Sequence, residues 1–316
     1  PKITPFLQRA LDVGAKIITG DRMLLWQAVE QAKIFTGRDD VPVEVMEATE
    51  MTFALALIYL FVVVVLPTAA LIIAAFRKFM FIRDLASLVD LNQYSLGHFE
   101  SVLDNPLTIR SIWNTVKVGV VTAVVGGILA FAIGYTIHRT RLSGRGLIDL
   151  LSTVPVAIPG LVVGVAYLWA WIGLPGGLYG TIWILALAFV ARFMPDTVKA
   201  LSTSFMQIHK ELEEAAWICG RSIFSTIRTV VLPLARPGVV ASMTLLFVLA
   251  IRELGSSLFL YTSNTMVMSV LLLDYYEGGN LGKTAAFSLV QTAILAVLLS
   301  FTTWLSRETT QSARFN

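Results

Sequence analysis

The strongest constraint on this chain is the recurrence of long stretches without a charged residue. None occurs from Met51 to Phe76, and at 1.5 Å per residue that run makes about 39 Å of helix, enough to cross a hydrocarbon core of about 30 Å with tilt. Val118–Ile137 and Leu150–Tyr179 are also uncharged, and Thr181 to about Leu201 is interrupted by Arg192. Gly238 to about Thr262, with Arg252 and Glu253 inside it, and Thr284–Leu305 complete the pattern. The runs predict an all-α membrane protein with six transmembrane helices. Pro67 predicts a kink in the first, and Pro155, Pro159 and Pro175 predict a broken third.

Composition supports the same class. The chain is 56% hydrophobic and 14% charged, whereas about a quarter of a soluble domain is charged. A net charge of +3 from 24 basic and 21 acidic residues leaves no polybasic surface for nucleic acid. The single cysteine, Cys219, excludes an intramolecular disulfide and a Cys-rich metal site. His98, His138 and His209 are scattered, so no catalytic group, metal site or cofactor is expected.

The basic residues set the expected orientation. Arg139, Arg141 and Arg145 crowd one inter-span loop, and Lys199, Lys210, Arg221, Arg228 and Arg236 fill another, which predicts both loops, and both chain ends, on the cytoplasmic side. Arg77, Lys78 and Arg83 oppose this and are expected to snorkel to outer headgroups. The division expected is a cytoplasmic N-terminal segment or linker over 1–50, a membrane domain over 51–305, and a cytoplasmic tail over 306–316. The first fifty residues lack the layout of a secretory signal, and the start at Pro1 is expected to be that of a piece of a longer chain.

The most informative loop runs from about 207 to 236. Glu211–Ile218 reads as a helix, Gly220 as a break, and the stretch through Ile227, Val230 and Val231 as a second amphipathic helix stopped by Leu232-Pro233. Small Ala215 and Ala216 would let a partner approach, and Glu214 would offer it an anionic contact. Read from its residues alone, the loop is a docking surface or an ordinary interfacial segment.

This stretch resembles the EAA loop of bacterial ABC importer permeases. Glu214, Ala215, Ala216, Gly220, Leu232 and Pro233 stand at the family's spacing, and Val230 replaces its usual isoleucine. The resemblance covers roughly residues 110–305 and implies a type I, binding-protein-dependent importer permease in the bacterial inner membrane. It implies a six-transmembrane-helix bundle whose cytoplasmic coupling helix seats on a cytosolic ABC ATPase dimer. It further implies an external substrate-binding protein, a second transmembrane half, and ATP hydrolysis in another chain. More narrowly, Ala250–Leu254, Ser269–Leu271 and Tyr275–Gly279 are similar to the ferric-iron branch, which has thiamine, phosphonate and polyamine relatives. Many ferric members are fused twelve-helix chains, so this chain could be a second half.

Ionised groups at the bilayer centre cost about 2.5–3.5 kcal/mol each on insertion scales. Arg192, Arg252 and Glu253 therefore either line the translocation pathway or form structural ion pairs. A gradient-driven secondary transporter would use Glu253 and the breaks at Pro155 and Pro159 as an ion site. A membrane-embedded enzyme has no visible catalytic set.

Other motifs are weaker. Gly278–Thr284 misses P-loop spacing by one residue. Gly160/Gly164 and Gly176/Gly180 predict close packing and a turn rather than a dimerisation code. Trp169, Trp171, Tyr261, Tyr275 and Tyr276 are expected as interfacial anchors, and Met266 and Met268 as packing residues.

Overall fold

The structure, a computed structural model, describes residues 52, 54–79, 84–174 and 176–312. The expected N-terminal cytoplasmic segment or linker, 1–50, lies outside the described residues, as does Arg83. Contacts divide the chain into two units, Pro1–Ala70 and Leu71–Asn316.

Helix α1, Ala54–Phe76, crosses that boundary, and its apolar window buries none of its residues within the protein. Ahead of Pro67 it widens into a π turn at Phe61–Val65, where Leu66 N–H reaches back to Phe61 O. Proline offers no amide to the preceding turn, and a π turn re-pairs part of what is freed. The helix thus continues through Pro67 as one span, with this π turn where a kink was expected.

In the second unit α2 is Gly97–Leu103 and α3 is Pro106–Arg139. Asn105 caps α3 by accepting from Leu107 N–H, and Pro106 occupies the first turn, where its missing amide is harmless. A bent pair follows, α4 (Arg145–Thr153) and α5 (Gly160–Ile172). Next come α6 (Ile182–Gln207), α7 (Glu211–Ile218) and α8 (Ile223–Arg252). The short α9 (Ser257–Leu260), α10 (Met268–Glu277) and α11 (Leu281–Ser312) complete the order. Among the described residues the only bridge between extended backbones is Arg77 with Tyr94.

The core is a three-way packing of α3, α6 and α8. Lipid tails are as apolar as the helices, so helices associate by close van der Waals fit, which small residues permit. A Cβ added at Gly126 would lie 2.6 Å from Leu246 Cδ1, and one at Gly134 would lie 2.8 Å from the Phe205 ring. At Gly238 it would sit 2.5 Å from Ser204 Cβ.

Several expected boundaries move. Among the described residues four helices are long and apolar enough to span a membrane: α1, α3, α8 and Leu281–Ser300 of α11. The third run bends by 112° between α4 with its following turn, Arg145–Ala157, and α5, so it makes a fifth span only as a broken element. Pro155 and Pro159 are the cause. The fourth run is a 26-residue helix, α6, that carries Asp196 and Lys199 besides Arg192 and so falls short of an apolar span by charge.

Leu232-Pro233 does not stop the helix before the fifth run. A π turn at Ile227–Val231 precedes Leu232, and α8 continues from Ile223 through Pro233 and Pro237. The same helix ends at Arg252, with Glu253 extended, instead of reaching Thr262. Helix α11 runs on to Ser312, beyond the expected end at Leu305. Arg77 is buried at 3% exposure, and Lys78 Nζ donates to Asn92 O at 2.8 Å, so these two bases are held by protein rather than snorkelling.

Candidate functional site

The loop read as a docking element folds as a helix, a glycine cap and a second helix. Helix α7 ends where Gly220, at φ +78°, donates to Trp217 O at 2.9 Å and Arg221 N–H reaches Ala216 O at 3.1 Å. That pattern closes a helix with a left-handed residue, which glycine enters without a Cβ penalty. An added Cβ would meet nothing within 4 Å, so the requirement at Gly220 is its backbone angle and not space. Ser222 then opens α8 by accepting from Ser225 N–H at 3.3 Å.

Glu214 and Ala215 are exposed and Ala216 is half-buried. Leu232 and Pro233, also exposed, lie beyond the π turn on α8, so the six motif residues divide between two elements. Around the cap the surface is apolar: Ile218 is 87% exposed and Phe224 77%, with Leu212 and Ile223 also open.

The residue that sequence reading missed is Glu213. It is 2% exposed, and its Oε1 lies 3.3 Å from Arg139 Nε at the end of α3. Tyr135 Oη donates to its other oxygen at 3.2 Å. The same Arg139 donates from Nη2 to Phe205 O at 2.6 Å and Ile208 O at 2.5 Å, capping carbonyls at the end of α6. One guanidinium thus ties α7 to α3 and α6. The signal was present: successive residues on a helix are about 100° apart, so Glu213 and Glu214 cannot face the same way.

A second charged site lies where the bent pair meets the end of α8. Arg192 Nε on α6 is 3.1 Å from Glu253 Oε2, with the two side chains 27% and 7% exposed. Glu253 Oε1 accepts from Ser256 N–H at 2.8 Å, and its carbonyl accepts from Ser257 and Ser269 hydroxyls, each at 2.8 Å. Ser256 Oγ donates to Gly160 O at 3.0 Å, at the start of α5. A Cβ on Gly160 would meet Arg192 Nη1 at 2.5 Å and Glu253 Oε1 at 2.8 Å, and one on Gly164 would meet Ser256 O at 2.9 Å. The break therefore docks glycine-first onto the ion pair. Arg252 is exposed and stays outside it.

The remaining motifs resolve as packing. An added Cβ on Gly282, in the glycine-rich stretch short of P-loop spacing, would fall 2.3 Å from the His98 ring. Gly176, Gly177 and Gly180 have positive φ in a turn. Met266 and Met268 pack in the core. Tyr275 departs from its expected interfacial place: it is 8% exposed, accepts from Asn105 Nδ2 at 2.9 Å, and lies 3.2 Å from Thr108 Oγ1. Trp169 and Tyr276 are exposed, while Trp171 and Tyr261 pack against the core. Among the described residues no group of three or more His, Cys, Asp or Glu is placed to hold a metal ion.

Residues 123–311 match the family described as binding-protein-dependent transport system inner membrane component. A separate match, to a shikimate 5'-dehydrogenase C-terminal domain, covers only 22–49, outside the described residues. The ferric transport system permease protein FbpB of Actinobacillus pleuropneumoniae is 26% identical over 69% of this chain, which spans only 32% of that protein. The sulfate transport system permease protein CysT of Salmonella typhimurium is 26% identical over 70% of this chain and 85% of its own length. Among solved structures, a chain of a bacterial ABC transporter involved in the import of the acidic polysaccharide alginate aligns with TM-score 0.68 at 16% identity. That alignment covers 84% of this chain and 97% of the other.

Proposed function

Because the chain belongs to the binding-protein-dependent transport system inner membrane component family, we propose that it is the membrane subunit of an ATP-driven ABC importer in the bacterial inner membrane. The observation carrying this reading is the α7–Gly220–α8 element. It presents an exposed apolar tip with Glu214 beside it, at the end of a bundle whose core helices it continues. A cytosolic ATPase dimer would seat on that tip. An external binding protein would deliver substrate at the opposite end, and a second transmembrane half would complete the pathway. That half could precede this chain in one polypeptide or come from a separate subunit; the 32% and 85% coverages of the two relatives accommodate either arrangement.

The geometry supplies a mechanical route. Helix α8 is 30 residues long, about 45 Å of continuous rod that begins in the coupling element and ends one residue before Glu253. Helix α6 is anchored near its end by Arg139 and carries Arg192. Movement of the tip would therefore reach the Arg192–Glu253 pair along both partners' helices. On this reading the pair and the Pro159–Gly160 break form part of the translocation pathway, and alternating access makes and unmakes their contact. Arg252, exposed beside them, would line the same route. This chain performs no bond chemistry of its own.

Ferric iron is the substrate we propose, from the similarity of Ala250–Leu254, Ser269–Leu271 and Tyr275–Gly279 to the ferric branch. Sulfate is the second reading, since its relative shares equal identity over a larger part of its own length. Phosphonate, thiamine and polyamine are further candidates within the same machinery. The test is ATP turnover and uptake in proteoliposomes containing the permease, its candidate ATPase and binding protein. Glu214→Ala and Gly220→Asp, which sets a negative charge on the apolar tip, should abolish both, while Gly220→Asn, uncharged and tolerant of the left-handed angle, should retain them. Turnover that ignores Glu214→Ala and Gly220→Asp would favour a gradient-driven carrier using Glu253. Paired uptake of radioactive iron and sulfate separates the substrates.

A further inference from the structure

At the end of α3 a cavity of about 360 Å³ opens between that helix, the start of α4 and one face of α7. Its lining is Arg139, Thr140, Arg141, Arg145, Lys210, Glu213, Glu214 and Trp217. Arg139 and Glu213 neutralise each other. What remains is Arg141, Arg145 and Lys210 against the single carboxylate of Glu214, an excess of positive charge in a concave site. Among the described residues none of these three bases forms an ion pair, and Arg145 gives one hydrogen bond, from Nη1 to Thr140 O at 3.1 Å. The first turn of α4 adjoins them without a side-chain cap, and although Arg145 and Leu147 N–H are taken by Leu142 O and Gly144 O, the helix N-terminus still adds its partial positive charge to the field.

Helix α4 places the cavity relative to the membrane. Leu147, Leu150, Leu151 and Val154, spaced as one helical stripe, are 60%, 61%, 60% and 45% exposed. Such a stripe buries into the boundary between headgroups and acyl chains, with basic residues at its polar edge held at headgroup level. Trp217, 42% exposed on the cavity wall, has the amphipathic ring that favours the same depth.

We infer that this cavity binds the phosphate of an anionic phospholipid headgroup, with Arg141, Arg145 and Lys210 as its ligands. The inference rests on the membrane-spanning reading and not on the ATPase. A zwitterionic lipid brings a choline cation that the basic cavity disfavours, whereas a phosphatidylglycerol headgroup carries its phosphate charge uncompensated. Glu214 opposes the anion, so occupancy should bear on the carboxylate that the docking element presents.

The test uses the full chain purified in detergent. Retained lipid is read by native mass spectrometry after equilibration with equimolar phosphatidylglycerol and phosphatidylcholine, and in a separate arm with inorganic phosphate. Wild type should retain phosphatidylglycerol preferentially. Arg141→Ala/Arg145→Ala should lose about 25-fold in that preference, from roughly a fivefold contribution per basic residue, and Lys210→Ala about fivefold on the same scale. Size-exclusion profiles matching wild type show that the variants fold, and Lys210→Ala provides the reading if the double variant does not. Equal retention of both lipids by wild type, or a preference unchanged in both variants, overturns the inference. Phosphate binding without lipid preference overturns the lipid source and marks a soluble-anion site. Loss of ATPase association in the variants with lipid preference intact assigns the cluster to a protein contact instead.

Discussion

Glu213 and Glu214 are adjacent carboxylates on one short helix, and the structure gives them opposite fates. Replacing Glu213 with glutamine keeps size and hydrogen-bonding capacity but leaves Arg139, whose side chain is 2% exposed, without its counter-charge 3.3 Å away. Removing one partner of a buried pair costs about 3–5 kcal/mol. Arg139 keeps its two carbonyl acceptors, Phe205 and Ile208, which places the expected loss near the lower bound, about 3 kcal/mol. At roughly 2–4 °C per kcal/mol for a chain of this order of size, the unfolding midpoint should fall by about 6–12 °C. Glu214→Gln, on an exposed side chain, should leave the midpoint within about 1–2 °C while impairing ATPase coupling. The assay is thermal unfolding of both variants in the same detergent, beside ATP turnover with the partner ATPase. Adding Arg139→Gln to Glu213→Gln removes the orphaned charge and should recover part of the loss. Equal midpoints for Glu213→Gln and wild type, or a larger fall for Glu214→Gln, would refute the assignment of Glu213 as the tie between α7, α3 and α6.

Two further outcomes follow from the bend. Gly164→Val places its Cβ 2.9 Å from the backbone carbonyl of Ser256, which no side-chain rotation relieves, so it should destabilise by about 1–3 kcal/mol and reduce uptake. Gly146→Ala, at an exposed position inside α4 with nothing within 4 Å, is the control and should lower neither in the same melting and uptake assays. Glu253→Gln retains an acceptor for Ser256 N–H but drops the ion pair. Because Arg192 is 27% exposed and partly solvated, the stability loss should stay near 1 kcal/mol while uptake falls at least tenfold. Wild-type uptake in that variant would reduce the pair to a structural contact.

The helical class and the approximate place of the apolar helices were legible because charge exclusion over some twenty residues has few other causes. Boundaries were less legible, since they depend on how proline is absorbed. At Pro67 and Pro233 a π turn lets the helix continue, whereas at Pro155 and Pro159 two prolines only four positions apart bend it by 112°. No local rule separates these cases: α8 has α3 and α6 packed along it, while the bend is held by Ser256 and Glu253 from nearly a hundred residues away.

The loop proposed to dock a partner was read from spacing, and spacing reports local requirements better than contacts across the fold. Glu214 and Gly220 could be named because their requirements are local: an exposed carboxylate, and a left-handed cap. Glu213 could not, because its partners Arg139 and Tyr135 lie on another helix. The same asymmetry holds at the second site. Arg192, Arg252 and Glu253 were grouped because each carries charge inside an apolar run, yet only the first and last meet, since Glu253 turns back past the end of α8 while Arg252 remains on it. The two sites share helices: Glu253 terminates the rod that Gly220 and Ser222 begin, and Arg192 rides the helix that Arg139 caps. If these rods transmit motion, substitutions at the Arg139–Glu213 tie should alter how strongly uptake depends on ATP turnover. Substitutions at the Arg192–Glu253 pair should alter uptake while turnover persists. Identical ratios of uptake to turnover for both classes of variant would mean that the two sites are linked by stability alone.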